Sequence, residues 1–230
     1  MSRRAVLTDI EGTTTSISFV YDLLFPYAAA RLASACARPD KPRELVQALE
    51  LLRQEHAAEG AAAGLPDFGD GSPYARYLMA ADRKSTGLKA LQGLIWEEGY
   101  RSGEIVGHVY EDVPPALAAW RAAGVRLRIF SSGSVHAQRL LFGHTAYGDL
   151  TPAFEGYHDT TTGPKQEAAS YAAIAAAFGL PAGDVLFLSD VTGELDAAAR
   201  AGMATGLLRR PGNRPAEAGE HPTYRSFAEI

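Results

Sequence analysis

Cysteine is nearly absent: Cys36 is the only one in 230 residues, which excludes a disulfide framework and a thiolate metal cluster. Positive charge is not in excess either, since 22 Lys and Arg stand against 27 Asp and Glu, a formal net charge of −5. With no basic stripe to neutralise phosphates, a nucleic-acid surface is not expected. Long apolar runs are missing as well. None approaches the ~20 residues that span a bilayer, and the stretch after Arg3 and Arg4 ends at Thr8 and Asp9, too soon for a secretory leader. There is no internal repeat and no low-complexity segment. What remains is an ordinary globular composition, 47% hydrophobic and 21% charged. The expectation is a soluble, cytoplasmic protein with neither nucleic-acid nor membrane partners.

Four apolar runs predict buried parallel strands: Ala5 to Ile10, Val125 to Phe130, Val185 to Leu188, and a weaker one at Thr205 to Leu208. They are continuous rather than alternating, as a sheet covered on both faces requires. Helices are expected between them. One opens at Pro114 and Pro115 and stops before Gly124, one runs from Lys165 to Phe178, and one from Glu194 to Ala201. Strands alternating with helices imply a doubly wound α/β core. The stretch 16–112 differs, with no convincing strand. Leu45, Val46, Leu49 and Leu52 share one helical face after Pro42; Leu88, Leu91, Leu94 and Ile95 share another after the capping candidates Ser85 and Thr86. "GLPDFGDGSPY" between them reads as a loop. A helical module is thus inserted after the first strand.

In an open α/β sheet, ligands bind beyond the carboxyl ends of the strands. The first strand delivers Asp9 and Glu11 there, the second Ser131 and Ser132, and the strand at Val185 delivers Ser189 and Asp190. Lys165 follows the "DTTTGP" loop at the expected start of a helix. Hard carboxylate oxygens suit Mg²⁺; lysine, hydroxyls and helix N-terminal amides suit a phosphate. Each residue alone has a plainer reading. Asp9 and Glu11 could form a turn, Ser131–Ser132–Gly133 could cap a helix, Lys165 could be a solvated charge, and Asp190 and Glu194 could serve the next helix's dipole. Their joint occurrence, in order along successive strand ends, favours a site. His136, His144 and His158 have no metal-ligand spacing and are read as structural, and Trp96 as core.

In that order Asp9, Ser131, Lys165 and Asp190 resemble the four motifs of the haloacid dehalogenase-like hydrolases. The first motif there is usually Asp-x-Asp, and here the third residue is Glu11. With "DIEGTTTSISFV", "LFPYA", "DRKSTGLKALQG", "SSGSVHAQRLLFGH" and "LFLSDVTGELDAA", the chain is similar to one branch, the enolase-phosphatases of methionine salvage. The resemblance covers nearly the whole chain. It implies a Rossmann-like parallel core from 1–15 and 113–230 with a helical cap at 16–112. It further implies one Mg²⁺ per subunit on Asp9, Glu11 and Asp190, and substrate contacts from Ser131, Ser132 and Lys165. The expected enzyme is a monomer acting on a small phosphorylated diketone, with Asp9 as nucleophile and Glu11 and Lys165 assisting catalysis. Glu194 is expected to orient a water rather than touch the metal. A phosphatase of the same superfamily with another small substrate is the nearest rival, disfavoured by residues 82–93. A phosphoacceptor receiver domain is disfavoured by the length and the insertion. A dehalogenase needs neither the second carboxylate nor a metal.

Overall fold

The computed structural model of the chain describes residues 4–60, 64–83 and 85–230. Arg3 and Lys84, the latter within "DRKSTGLKALQG", lie outside the described residues. The order of elements begins with strand β1 (Ala5–Thr8) and helices α1 (Phe25–Ala37), α2 (Arg43–Glu59), α3 (Ser72–Ala80) and α4 (Thr86–Ser102). It continues with α5 (Val113–Ala122), β2 (Arg126–Phe130), α6 (Val135–Gly143), β3 (Gly156–His158) and α7 (Ala168–Phe178). The last are β4 (Val185–Ser189), α8 (Thr192–Arg200), β5 (Ala204–Leu208) and β6 (Thr223–Tyr224). The chain divides into two compact units, Met1–Val20 with Val106–Ile230, and Tyr21–Ile105.

The first unit is built on a six-stranded, all-parallel sheet in the order β3-β2-β1-β4-β5-β6. Strand order reverses at β1, which lies between β2 and β4, and such a switch point opens a crevice at the carboxyl edge. The register sets what lines that edge. Thr8 pairs with Ile129 on one side and Leu188 on the other, so Asp9, the segment entering Ser131, and Ser189 with Asp190 emerge side by side. Ala5, Leu7, Val185, Phe187 and Leu207 pack on Tyr171, Ile174 and Phe178 of α7 and on Leu195, Ala197 and Ala198 of α8. Val6, Leu186 and Leu188, pointing to the other face, are buried as well. Burial on both faces is why these strands read as unbroken apolar runs.

Two strands escape sequence reading because they are short edge pieces. β3 has three residues, Gly-Tyr-His, all half-buried, and β6 has two. The helix expected from Lys165 begins only at Ala168. Lys165 lies in the preceding turn, where Tyr171 donates a hydrogen bond to its carbonyl at 2.7 Å. Likewise Ser131 and Ser132 do not cap α6. Ser134 does, accepting from Ala137 N at 3.2 Å.

Every element described in the unit Tyr21–Ile105 is a helix. α2 buries Leu45, Leu49 and Leu52, whereas Val46, expected on the same face, is 51% exposed. It falls one residue past Leu45, about 100° around the helix. α4 meets α2 so closely that a Cβ on Gly87 would lie 2.6 Å from the Leu52 nitrogen. Ser85 caps α4 by accepting from Leu88 N at 2.9 Å, and Glu55 of α2 accepts from Thr86 N at 2.9 Å. Trp96 is core: it is 8% exposed and donates to the Leu24 carbonyl at 2.8 Å.

Candidate active site

Beyond β1 the chain folds back at once. The amides of Thr13, Thr14 and Thr15 all point to the Ile10 carbonyl at 3.2, 2.9 and 3.0 Å, and Gly12 N donates to Thr15 O at 2.8 Å. Gly12 holds φ +67°, and a Cβ there would collide with the Asp190 carboxylate. Only glycine satisfies both demands. The three threonines are fully buried; the Thr14 hydroxyl donates to the main chain at Ile10 O, 3.2 Å away. Asp9 is thereby held at the strand end, 5% exposed, with Ile10 N donating to its Oδ1 at 2.7 Å.

Lys165, 8% exposed, places Nζ 2.7 Å from Asp9 Oδ1 and 2.7 Å from Glu194 Oε2. The Ser189 hydroxyl donates to the same Glu194 oxygen at 3.0 Å. Glu194 is therefore the second anchor of the lysine. Burial opposes the ammonium charge, but Asp9 and then Glu194 outweigh it and hold Lys165 above its ordinary value. Two carboxylates share one ammonium, and burial first and the Asp9 charge second raise the Glu194 carboxyl above its ordinary value.

The other two acids sense the same field. Burial, then the Asp9 charge, push Glu11 up to about 7 against the pull of Lys165. Burial and Asp9 likewise push Asp190 up to about 7. Like charges gathered at one edge disfavour ionisation unless a cation joins them. Among the described residues no three His, Cys, Asp or Glu side chains already converge as a ready-made metal-binding group.

On the β2 side, Ser131 is 3% exposed; its amide donates to His158 O at 3.1 Å and its hydroxyl accepts from Gly133 N at 3.2 Å. Ser132 is exposed. Gln138 of α6, not among the candidates read from the sequence, braces this turn by donating to Gly133 O and His158 O at 2.8 and 2.9 Å. Ion pairs thus join Asp9, Lys165 and Glu194, and electrostatics couple Glu11 and Asp190 to Asp9. Ser131 and Ser132 stand at the neighbouring strand end. His158 and His144 are structural, with Nδ1 of His144 on the Leu140 carbonyl at 3.0 Å.

A parallel sheet that gathers acids, hydroxyls and one lysine at its carboxyl edge, with a helical unit inserted after the first strand, marks a hydrolase built on a doubly wound, Rossmann-like core. Residues 3–202 match the haloacid dehalogenase-like hydrolase family. The chain belongs to that family and, within it, to the enolase-phosphatases. It is 54% identical to the enolase-phosphatase E1 of Synechococcus elongatus, over 100% of this chain and 98% of the relative. It is 52% identical to that of Pseudomonas aeruginosa, over 100% and 99%. Among solved structures, the UTR4 protein of Saccharomyces cerevisiae superposes with a TM-score of 0.82 at 38% identity, covering all of both chains.

Proposed function

We propose that this chain is a Mg²⁺-dependent enolase-phosphatase. It converts 2,3-diketo-5-methylthiopentyl-1-phosphate through its enol phosphate to the acireductone 1,2-dihydroxy-3-keto-5-methylthiopentene and phosphate, in methionine salvage. The observation that carries this reading is the buried Asp9–Lys165–Glu194 arrangement at the sheet edge, in a chain similar over its full length to enolase-phosphatases.

In this reading Asp9 is the nucleophile that takes the phosphoryl group, as carboxylates do in covalent catalysis. Lys165 and Ile10 N both hold Oδ1, so the carboxylate is fixed in orientation before substrate arrives. Lys165 also neutralises charge on the transferring phosphate, with Ser131 and Ser132 as hydroxyl contacts. Glu11, two residues beyond the nucleophile, is assigned to assist departure of the leaving oxygen.

The donor set suits Mg²⁺. The ion usually takes one or two carboxylates and fills its octahedron with water and substrate oxygens, so a closed cluster of three acids is not required. Asp9, Glu11 and Asp190 would hold it, and their mutual repulsion is what a cation relieves. When bound, Mg²⁺ supplies Lewis-acid polarisation of carbonyl and phosphoryl oxygens. The unit Tyr21–Ile105 is assigned the role of cap, and the enzyme is taken to be a cytoplasmic monomer. No helix among the described residues is long and apolar enough to cross a membrane.

Phosphate release from the diketo substrate, with and without EDTA, tests the proposal. Turnover that stops in chelator and returns with added Mg²⁺ is expected. Full turnover in EDTA would overturn the metal assignment, and no phosphate release under any condition would overturn the activity.

A further inference from the structure

After β5 the chain runs through Arg210, Pro211 and Gly212 to Asn213, and this short segment grips the turn behind the nucleophile. Arg210 Nε donates to Thr13 O at 3.0 Å, while Nη1 reaches both Asp112 carboxylate oxygens at 2.9 Å. Asn213 Nδ2 donates to Gly12 O at 2.9 Å and Leu208 O at 3.3 Å. Two carbonyls on one side of the amide fix which end is nitrogen, because a carbonyl can only accept. The Asn213 oxygen must therefore point the other way. It is sealed from solvent and has no hydrogen-bond partner in the protein.

Where it points is informative. Asn213 Oδ1 lies 3.0 Å from the position a Cβ would occupy on Gly12, and the Asp190 carboxylate crowds the same point. The Asn213 oxygen and the Asp190 carboxylate thus both face the side of Gly12 that carries no side chain. A buried acceptor left unpartnered is destabilising, so such atoms are rare without a reason.

We propose that Asn213 is a positioning residue for the Mg²⁺ end of the site. Its Nδ2 fixes the Gly12 carbonyl, and with it the turn that carries Glu11. Its Oδ1 lies 3.0 Å from the point beside Gly12 that the Asp190 carboxylate also crowds. This rests on the reading of Asp9, Glu11 and Asp190 as the cation's holders. Partners that orient metal ligands in this way typically account for a 10- to 100-fold difference in metal affinity.

The test is Mg²⁺ binding to the substrate-free protein by calorimetry, for wild type, Asn213→Ala and Asn213→Thr, alongside melting in EDTA and the KM and kcat at saturating Mg²⁺. Asn213→Ala is expected to weaken Mg²⁺ by roughly tenfold or more. Its kcat at saturating Mg²⁺ should stay within a few-fold of wild type. Asn213→Thr keeps one hydroxyl, able to serve as donor or acceptor, and should fall between the two; it also stands in if the alanine variant does not fold. Unchanged Mg²⁺ affinity in variants that merely melt lower would overturn the inference and leave the function intact. A wild type that binds no Mg²⁺ would overturn the metal reading and this inference together.

Discussion

Lys165 shows how far a single residue's surroundings change its meaning. As a solvated charge at a helix start it would contribute little to stability. Buried between Asp9 and Glu194 it becomes the only counter-charge that the described residues place within 2.7 Å of both. Lys165→Ala is therefore expected to lower turnover by about 10²-fold and to lower stability too, by roughly 3 kcal/mol, because it strands two buried carboxylates. Kinetics and thermal melting of the same preparation check this; a variant with normal turnover, or with an unchanged melting temperature, would contradict it. Asp190 gives the opposite sign. Its carboxyl is raised from 3.8 to about 7 by burial and Asp9. Between those values the folded chain keeps a proton that the unfolded chain has lost, so stability falls as pH rises through the window. In EDTA, Asp190→Asn should melt above wild type at pH 8, by at least about 2 °C for a chain of this size, with the gap closing toward pH 4. Lower melting at every pH would count against it.

At the scale of elements, the crossing beside the first strand has its own pH dependence. Where residues 14–16 run past residues 107–110, Tyr110 N donates to Thr14 O at 3.0 Å, and His108 Nδ1 accepts from Ser16 N at 3.2 Å with the Thr15 hydroxyl at 2.9 Å. Burial lowers the His108 pKa below 6.5. The contribution is thus present above pH 6.5 and lost as pH falls through the lower folded value, where an imidazolium can no longer accept. The melting temperature of wild type should drop more between pH 7 and pH 5 than that of His108→Asn, which keeps an acceptor that does not titrate; equal drops would refute the pin. Such elements also mark what a sequence can disclose. β1 and β4 were legible because burial on both faces leaves nearly unbroken apolar runs, whereas β2 and β5 are fully buried only in part and were read from their apolar ends. Asp9, Ser131 and Asp190 were legible because each follows a strand, and Lys165 because it follows a loop at the expected start of a helix. β3 and β6 were not, being too short and too little buried to leave a pattern. The roles of Glu194, Gln138 and Asn213 were also hidden, since each depends on hydrogen bonds to residues on another segment.

For the whole molecule, the sheet order brings segments from both ends of the sequence to one edge: residues 9–15 and residues 131, 165, 189–194 and 210–213. The central claim is that this one edge serves two successive steps, proton removal beside a carbonyl and attack on phosphorus. Only the second strictly requires Asp9 to form a bond. Asparagine at position 9 keeps the size and one carbonyl oxygen but is no nucleophile. The conjugated enol absorbs in the near ultraviolet, so absorbance and phosphate can be followed in one cuvette. The most direct test is that measurement on Asp9→Asn with the diketo phosphate and Mg²⁺. The account predicts no phosphate release, with enol absorbance still rising; liberation of phosphate by Asp9→Asn would contradict it.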